Sequence, residues 1–377
     1  MKVCHCFTTH ISLIFLEGQL QFMQDHDVDL HIAVPFNKDL DLSKYPEITF
    51  HFISMARKIS FKKDLISLFK LIVLFKKKNF DIIHLHTPKA SLLGSLAARM
   101  LFHKRVIYHL HGLVAIKNNK PIYNLTNLFE RLPFLLSNYV LSVSPSMKEY
   151  CIKNKLVNRK KIQVLGNGTI NGIDALSKFN PSKASIKNFK SDFISKNKLE
   201  NKFIVGFVGR VCVDKGFFDF VNIANELAAS LPHCMFLIVG GNELEQNVTD
   251  VLTEQAKFQY IYVDSTDTPE NYIAILDVLV LPSCREGFGL VAAEASALCV
   301  PVVAYDIVGV CNAIVNGKTG TLVEAANKGA MYNAIKHYYL TPNSAKHHGF
   351  QGREYILTHF PPSVIWQEQF KFYNSIL

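Results

Sequence analysis

Long hydrophobic runs are missing from this sequence, which has no stretch of eighteen or more consecutive apolar residues. A membrane-spanning helix is therefore not expected. The first residues, MKVCHCFTTHISLIFLEGQL, interrupt their apolar stretch with His10, Ser12 and Glu17 and contain no small-residue cleavage site. Because they do not resemble a signal peptide, we expect a cytoplasmic protein.

Paired cysteines are also missing. The eight cysteines are scattered without a CxxC pair and without Cys/His spacing typical of a metal site. We therefore expect reduced thiols and no bound metal. Zinc-finger spacing, RNP-like aromatic motifs and basic-zipper patterns are absent as well, so we expect no nucleic-acid partner.

The positive charge is concentrated in one half of the chain. Residues 1–165 contain 24 Lys and Arg against 11 Asp and Glu, a balance of +13, whereas residues 166–377 contain 17 against 20, a balance of −3. The halves therefore look like two domains with different partners. A basic half is suited to an anionic membrane surface.

Short apolar runs alternate with helical stretches in both halves. The strand candidates are HIAVPF, ITFHFI, DIIHLHTP, RVIYHLHG and YVLSVSPS, then FIVGFVGR, CMFLIVGG, QYIYVD, DVLVLPS and PVVAYD. Helix candidates include residues 61–78 and 90–102, and a polar stretch at 178–202 follows a linker placed near 166–175. This alternation predicts two doubly wound α/β domains with parallel sheets.

Candidate ligand-binding residues follow several of these strands, where open α/β sheets bind ligands. Gly209 and Arg210 end one strand, and Lys215 follows five residues after Arg210. An Arg fork and a Lys point charge together suit a diphosphate. The alternative interpretation is that both are solvated surface cations.

The segment SCREGFGLVAAEASALCVPVVAYD contains two glutamates eight positions apart, Glu286 and Glu294. Between them a Gly-Phe-Gly turn precedes a helix of good helix formers, whose N-terminus would attract phosphate. Anchored at one diphosphate, the two carboxylates would reach hydroxyls at opposite ends of a nucleotide-sugar. The alternative is an amphipathic surface helix with both glutamates in water.

That segment resembles the E-x7-E segment of retaining nucleotide-sugar glycosyltransferases of the GT-B fold, glycosyltransferase family 4. VGRVCVDKGF, DVLVLPS and NGKTGTLVE resemble the same family in the same order, and ISLIFLEGQL, DIIHLHTPKAS, HLHG and GNGTINGID resemble its N-terminal half, especially in enzymes of bacterial surface polysaccharide synthesis. The resemblance implies an α/β GT-B fold with two Rossmann-like domains facing across a cleft. It places residues 1–170 and about 362–377 in an acceptor-side domain and residues 171–361 in a nucleotide-sugar domain.

The resemblance also implies a role for each matching residue. Glu294 would hold the ribose hydroxyls, and Glu286 the donor sugar. Arg210 and Lys215 would neutralise the diphosphate leaving group, and His111, in HLHG, would lie by the donor sugar. The residues expected to place backbone around the nucleotide are Gly209, Gly287, Phe288, Gly289 and Leu290. His109, two residues before His111, is interpreted as core filler.

Three positions depart from the family pattern. Cys299 stands where the family usually has Gly, Cys311 where Arg is ordinary, and Cys212 where a polar or basic residue is common. A requirement for positive φ at position 299 would strain a cysteine there.

The resulting expectation is a metal-independent, retaining glycosyltransferase that moves a sugar, most simply from UDP, to a glycan acceptor. The acceptor would be linked to polyprenyl diphosphate in surface polysaccharide, O-antigen or capsule assembly. The nucleotide-sugar is a substrate, and no cofactor is expected. The alternatives are a GT-B epimerase or phosphorylase, or an inactive GT-B subunit that binds a partner glycosyltransferase. The basic first half, with Arg57, Lys58 and the lysines of 61–78, would associate peripherally with the inner face of the membrane.

Overall fold

The structure is a computed structural model that describes residues 1–55, 60–114, 116–117, 120–121 and 125–377. The chain forms two compact units. The first comprises Met1–Ala115, Pro121–Gly172 and Pro362–Leu377, and the second Ile116–Lys120 and Ile173–Pro361. Within the described residues, no helix has the length and apolar character needed to cross a bilayer.

The first unit contains a seven-stranded sheet in the order β3-β2-β1-β4-β5-β8-β9, with parallel pairing throughout. The strand order reverses between β1 and β4, so the carboxyl ends of these strands lie at a topological switch point, where ligands of such sheets bind. The strands are β1 Lys2–Cys6, β2 Asp29–Val34, β3 Thr49–Phe52, β4 Ile82–Leu85, β5 Val106–Leu110, β8 Tyr139–Ser142 and β9 Ile162–Gln163. A separate two-stranded sheet, β6 Ile116–Lys117 and β7 Lys120–Pro121, belongs to the second unit except for Pro121.

The helices of this unit cover both faces of its sheet. They are α1 Gln19–Gln24, α2 Phe61–Lys78, α3 Pro88–Met100, α4 Leu125–Leu136, α5 Pro145–Lys153 and the C-terminal α14 Pro362–Ile376. Alternate residues of a strand point to opposite faces. Val3 and Phe7 therefore join one apolar cluster with α14, whereas Cys4 and Cys6 join another beneath α2 and α3.

The second unit contains a six-stranded sheet in the order β12-β11-β10-β13-β14-β15, also parallel. Its strand order reverses between β10 and β13. The strands are β10 Phe203–Val208, β11 Cys234–Val239, β12 Tyr260–Val263, β13 Val278–Leu281, β14 Val302–Asp306 and β15 Thr321–Glu324. The helices are α6 Ala184–Asn197, α7 Phe217–Ser230, α8 Val248–Gln255, α9 Pro269–Ile273, α10 Leu290–Ala297, α11 Val310–Ala313, α12 Lys328–Leu340 and α13 Pro342–His359.

The ten strands expected from apolar runs are all present, and α2 spans the expected residues 61–78. The structure adds five strands that were not among these candidates, namely β1, β6, β7, β9 and β15. Three of them have only two residues, and β15, TLVE, is too polar to form an apolar run. The polar stretch 178–202 contains helix α6, in which only Ile186 is buried.

The backbone at Cys299 has φ of +61, in the left-handed region. The condition raised from the sequence, positive φ at this position, is therefore met, and a side chain here carries a conformational cost of about 1–2 kcal/mol. Helix α13 passes so close that a Cβ on Gly349 would lie 2.1 Å from the Cys299 carbonyl oxygen. The tight approach of this helix keeps the turn at Cys299 in place.

Candidate functional site

The predicted binding residues of the second unit lie on two loops at its switch point. Gly209, Arg210 and Lys215 follow β10, and Glu286 lies in the loop that follows β13. Since β10 and β13 are neighbours at the position where the strand order reverses, their carboxyl ends open onto the same edge of the sheet. The fold thus places the candidate residues where a doubly wound domain binds its ligand.

Lys215 and Glu286 form a close ion pair at this edge. The Lys215 Nζ lies 2.6 Å from the Glu286 Oε1, and the Ser283 hydroxyl donates to the same oxygen at 2.9 Å. The Glu286 side chain is only 9% exposed and that of Lys215 is 22% exposed. A carboxylate this well buried needs such partners, because an unpaired buried charge is costly.

Three contacts fix the loop that carries Lys215 against the loop that carries Glu286. The Asp214 carboxylate pairs with Arg285, and the Cys284 N–H donates to the Asp214 carbonyl at 3.0 Å. Gly216 adopts φ of +73, and a Cβ there would lie 1.9 Å from the Pro282 carbonyl oxygen. Only glycine allows this approach, which holds Lys215 beside Glu286.

Arg210 lies on the other side of the same edge and pairs with the Glu243 carboxylate. Its side chain is 47% exposed. The preceding Gly209 has φ of +146, and no atom lies within 4 Å of the position that a Cβ would take. Glycine is therefore required here by the backbone, and the space beside it is open.

The Gly-Phe-Gly turn leads directly into α10. Gly289 caps the helix with φ of +82, in the left-handed conformation that glycine adopts readily. Phe288 is buried and packs edge-to-face on Phe360, with ring centroids 5.0 Å apart. Gly309 packs so closely that a Cβ would lie 2.7 Å from the Gly287 carbonyl oxygen. The turn is thus clamped from two sides while α10 begins at Leu290.

Glu294 lies within α10, which is buried on almost every side by small residues. The buried members of the helix are Ala292, Ala293, Ala295, Ser296 and Ala297. Burial raises the pKa of Glu294 to about 7; the Glu270 carboxylate adds to the rise, and Lys178 and Lys215 oppose it. A surface amphipathic helix with solvated glutamates, the alternative raised from the sequence, is therefore wrong.

Glu270 and Ser283 are polar residues of this region that sequence analysis missed. In the described part of the chain, the Glu270 Oε2 is buried and has no hydrogen-bond partner. Glu270 lies in the first turn of α9. Its proximity to Glu294, 24 positions further along the chain, could not be predicted from the sequence. Ser283 is fully buried beneath Glu286, three residues before it, within the motif that the sequence already marked.

His111 lies in the first unit, just after β5, among four other histidines. The group comprises His5, His84, His86, His109 and His111. Burial lowers the pKa of His5 and of His111 to about 3, and burial with the neighbouring imidazoles lowers the pKa of the other three well below the ordinary value. These rings are therefore neutral at pH 7.

His109 is buried, as core filler would be, but it is hydrogen-bonded to His84 at 3.1 Å. The expectation that the protein binds no metal stays a prediction, although histidine nitrogens of this group lie close enough together to hold one. Two groups of three histidines have nitrogens within 4.8 Å of one another. The signal in the sequence was the repeated His-x-His at the ends of two strands, because the two histidines of each repeat point to the same face.

Comparison with known proteins now defines the class. The protein family described as "Glycosyl transferases group 1" matches residues 188–355, and the family described as "Glycosyltransferase Family 4" matches residues 18–169. The chain belongs to this glycosyltransferase family.

Two relatives are similar to most or all of this chain. The capsular polysaccharide biosynthesis glycosyltransferase CapM of Staphylococcus aureus is 30% identical over 100% of this chain and 97% of its own length. An Escherichia coli enzyme described as UDP-Gal:alpha-D-GlcNAc-diphosphoundecaprenol alpha-1,3-galactosyltransferase is 29% identical over 75% of this chain and 72% of its own.

Solved structures establish the fold. HepE of Anabaena, crystallised with UDP and glucose, superposes with a TM-score of 0.80 at 19% identity, covering all of both chains. Sucrose-phosphate synthase of Thermosynechococcus elongatus superposes with a TM-score of 0.82 at 20% identity, covering 100% of this chain and 99% of its own. The fold is therefore GT-B, with two Rossmann-like α/β domains.

Proposed function

We propose that this protein is a retaining glycosyltransferase that transfers a sugar from a UDP-sugar to a hydroxyl of a glycan acceptor linked to polyprenyl diphosphate, in capsule or surface polysaccharide assembly. The similarity to CapM along the whole chain supports the pathway. The names of the Escherichia coli relative and of the HepE complex support a UDP-linked donor, and the former supports the lipid-linked acceptor.

The observation that carries the proposal is the arrangement of Lys215, Glu286 and Glu294 around the N-terminus of α10. A diphosphate at that N-terminus would meet unpaired N–H groups and the Lys215 ammonium. Glu286 lies before the turn, and Glu294 lies one turn or more into the helix. This arrangement supports the proposal that the two carboxylates accept hydroxyls on either side of the diphosphate, from the sugar at Glu286 and from the ribose at Glu294.

Both cations of the site have carboxylate partners, so diphosphate binding requires an exchange of partners. Arg210 would leave Glu243, and Lys215 would shift from Glu286 toward the phosphate oxygens. Their charge then stabilises the leaving group as the bond to the anomeric carbon breaks. The protein supplies these cations itself, so we expect chelating agents to leave transfer unchanged.

In the proposed reaction the bond between the anomeric carbon and the diphosphate oxygen breaks. The acceptor oxygen bonds to the same face of that carbon, and its proton passes to the departing diphosphate. Configuration is therefore retained. The charge that develops on the sugar and on the diphosphate is stabilised electrostatically.

Calorimetry with UDP, followed by donor screening and mass analysis of lipid-linked acceptors, tests the proposal. We expect UDP to bind and one UDP-sugar to extend an acceptor by a single residue. Binding of a nucleotide-sugar without transfer to any acceptor would instead favour the inactive-subunit alternative. Failure to bind any nucleotide would contradict both.

We further propose that the first unit associates with anionic membranes through α2. One face of this helix buries Ser67, Leu71 and Phe75. Its other face exposes five large apolar side chains, namely Phe61 (84%), Leu65 (68%), Ile66 (57%), Phe69 (66%) and Val73 (47%). Exposed lysines, including Lys62, Lys70 and Lys76, surround this stripe. An apolar stripe bordered by lysines is typical of helices that lie in a membrane interface.

Arg57 and Lys58, which the sequence analysis also assigned to this surface, lie outside the described residues. The lysines of α2 alone provide attraction of roughly 1 kcal/mol each near an anionic surface.

Co-sedimentation with liposomes tests this assignment. We expect the double variant Leu65→Gln/Phe69→Gln to lose binding, and the exposed Leu340→Gln variant in the second unit to retain it. Liposome binding that does not depend on salt or on anionic lipid content would contradict the assignment. Binding that is unchanged in the double variant would contradict it as well.

A further inference from the structure

Five imidazoles form two lines of hydrogen bonds at the carboxyl ends of β1, β4 and β5. In the first line, the His5 Nδ1 lies 2.9 Å from the His86 Nε2, and the His86 Nδ1 lies 3.0 Å from the His111 Nε2. His86 thus uses both ring nitrogens, one toward the buried His5 and one toward His111. The second line contains His84 and His109.

Proton counting restricts the first line to two states. A neutral imidazole has one N–H and one bare nitrogen. If His5 donates from Nδ1, then His86 must donate from Nδ1 to the His111 Nε2, and the proton of His111 is on Nδ1. If His111 donates from Nε2, the opposite holds and all three protons are on Nε2. The three rings therefore share one tautomer in either state.

The second line has a defined direction. The Gln369 Nε2 donates to the Tyr373 hydroxyl oxygen at 3.0 Å, which leaves the Tyr373 O–H to donate to the His84 Nδ1. His84 then donates from Nε2 to the His109 Nδ1 at 3.1 Å. Helix α14, through Tyr373, thereby fixes the tautomers of His84 and His109.

Stacked rings hold His86 in its place between the two lines. The Phe7 ring stacks on the His86 ring, with centroids 4.3 Å apart and planes at 14°. The His84 ring also stacks on His86, with centroids 4.3 Å apart and planes at 23°. His86 is fully buried. A ring packed in this way has little freedom to rotate, so its two hydrogen bonds are maintained.

We propose that His5 and His86 are positioning residues for His111, which they hold through this line in a single tautomer, so that His5 decides whether the remaining nitrogen of His111, Nδ1, donates or accepts a hydrogen bond. The use of that nitrogen for a donor-sugar hydroxyl rests on the proposed function. The line itself depends only on the geometry of the first unit.

A metal ion is the competing occupant of these nitrogens. The two groups of three are His5, His84 and His86, and His86, His109 and His111. Zinc bound at about 2.0–2.1 Å to each nitrogen, in tetrahedral geometry, would replace the shared protons and break the line. The pairs at 2.9–3.1 Å already satisfy one another as donor and acceptor.

Nitrogen-15 NMR of the imidazole rings tests the proposal directly on the whole protein, purified with and without a chelator. We expect His5, His86 and His111 to show the same protonated ring nitrogen. Different tautomers among the three rings would overturn the proposal. Stoichiometric zinc that the chelator removes, with a change in these ring signals, would overturn it as well.

A matched pair of variants at His5 tests the coupling. In His5→Phe the His86 Nε2 loses its partner, and a buried N–H without an acceptor is less tolerable than a bare nitrogen. We therefore expect His86 and His111 to carry their protons on Nδ1 in this variant, whichever of the two states the wild type adopts. In His5→Asn an amide replaces the imidazole and can still donate to or accept from the His86 Nε2. This variant should keep His111 in a single tautomer.

The His31–His51 pair, 2.9 Å apart on β2 and β3, provides the internal control, and its signals should not change. A His111 that carries its proton on Nε2 in a folded His5→Phe variant would overturn the proposal. If that variant does not fold, the wild-type tautomers decide. UDP calorimetry on the same samples separates the proposed function from the proposal about the histidines. If the wild-type protein does not bind UDP, the proposed function is contradicted, whereas the tautomer result is unaffected.

Discussion

Replacing Glu294 with glutamine should stabilise the protein and weaken nucleotide binding at the same time. Burial raises the pKa of Glu294 from its ordinary value of 4.5 to about 7. The folded protein therefore holds this proton more tightly than the unfolded chain. This group favours folding at low pH, and its contribution is lost as the pH rises from about 4.5 through about 7.

The magnitude follows from the size of the shift. One pKa unit corresponds to about 1.4 kcal/mol. A carboxylate raised from 4.5 to about 7 thus costs up to about 3 kcal/mol when ionised at pH 8. Glutamine has no charge to desolvate, so Glu294→Gln should raise the stability by about 1–3 kcal/mol at pH 8 and by much less at pH 5.

Glu286→Gln is the matched control, and it should lower the stability of the protein, whereas Glu294→Gln should raise it. Glu286 accepts from Lys215 at 2.6 Å and from Ser283 at 2.9 Å. Removing its charge leaves a half-buried ammonium without a counter-ion, which should cost about 1–3 kcal/mol. Two glutamates eight positions apart are thus expected to change stability in opposite directions.

Scanning calorimetry at pH 5 and pH 8, with UDP titrations at pH 8, provides the measurements. A bond between a charged group and a ribose hydroxyl is worth about 1.5–3 kcal/mol, so Glu294→Gln should weaken UDP binding by roughly 10- to 150-fold. Glu286→Gln should leave UDP affinity nearly intact and lower turnover. Destabilisation by Glu294→Gln at pH 8, or equal small effects of both variants on UDP, would refute the reasoning.

Four further substitutions, with Gly317→Ala as a control, test the same site and its support. Arg210→Ala and Lys215→Ala should each weaken UDP binding and turnover together, because the diphosphate is present in the ground state and gains charge as the bond breaks; a purely kinetic effect in both would contradict the assignment. Gly216→Ala should lower stability and UDP affinity because its Cβ would lie 1.9 Å from the Pro282 carbonyl oxygen, whereas Gly317→Ala, with similar φ of +71 and no atom within 4 Å, should cost only about 1 kcal/mol in thermal denaturation. Cys299→Gly should raise the stability by up to about 1 kcal/mol, and an unchanged or lower melting temperature would show that the strain at φ +61 is offset by packing of the thiol.

The sequence alone determined the class of fold, because apolar strands buried on both faces leave a local pattern. All ten expected strands and helix α2 were visible as runs of neighbouring residues. The motif containing Glu286 and Glu294 was equally visible, since a turn, a helix start and two carboxylates lie within one short segment. The glycine at the end of a strand, Gly209, was visible in the same local way, because glycine is favoured wherever the backbone turns sharply.

Tertiary structure decided which groups face one another. Glu286 meets Lys215 across 71 positions, and Glu270 approaches Glu294 from a different helix. Sequence periodicity also could not distinguish the inward face of α2 from the exposed face of Phe61, Leu65 and Phe69, since both faces are apolar.

The histidines show most clearly why contacts between distant segments could not be predicted from the local sequence. Each His-x-His repeat shows only that two side chains share a face of one strand. The order of strands in the sheet brings His5, His86 and His111 together, and it arises from parallel pairing between segments 25 to 81 positions apart. Local sequence determines the conformation of each strand, whereas the contacts between strands depend on how distant apolar faces pack, and only the folded chain establishes them.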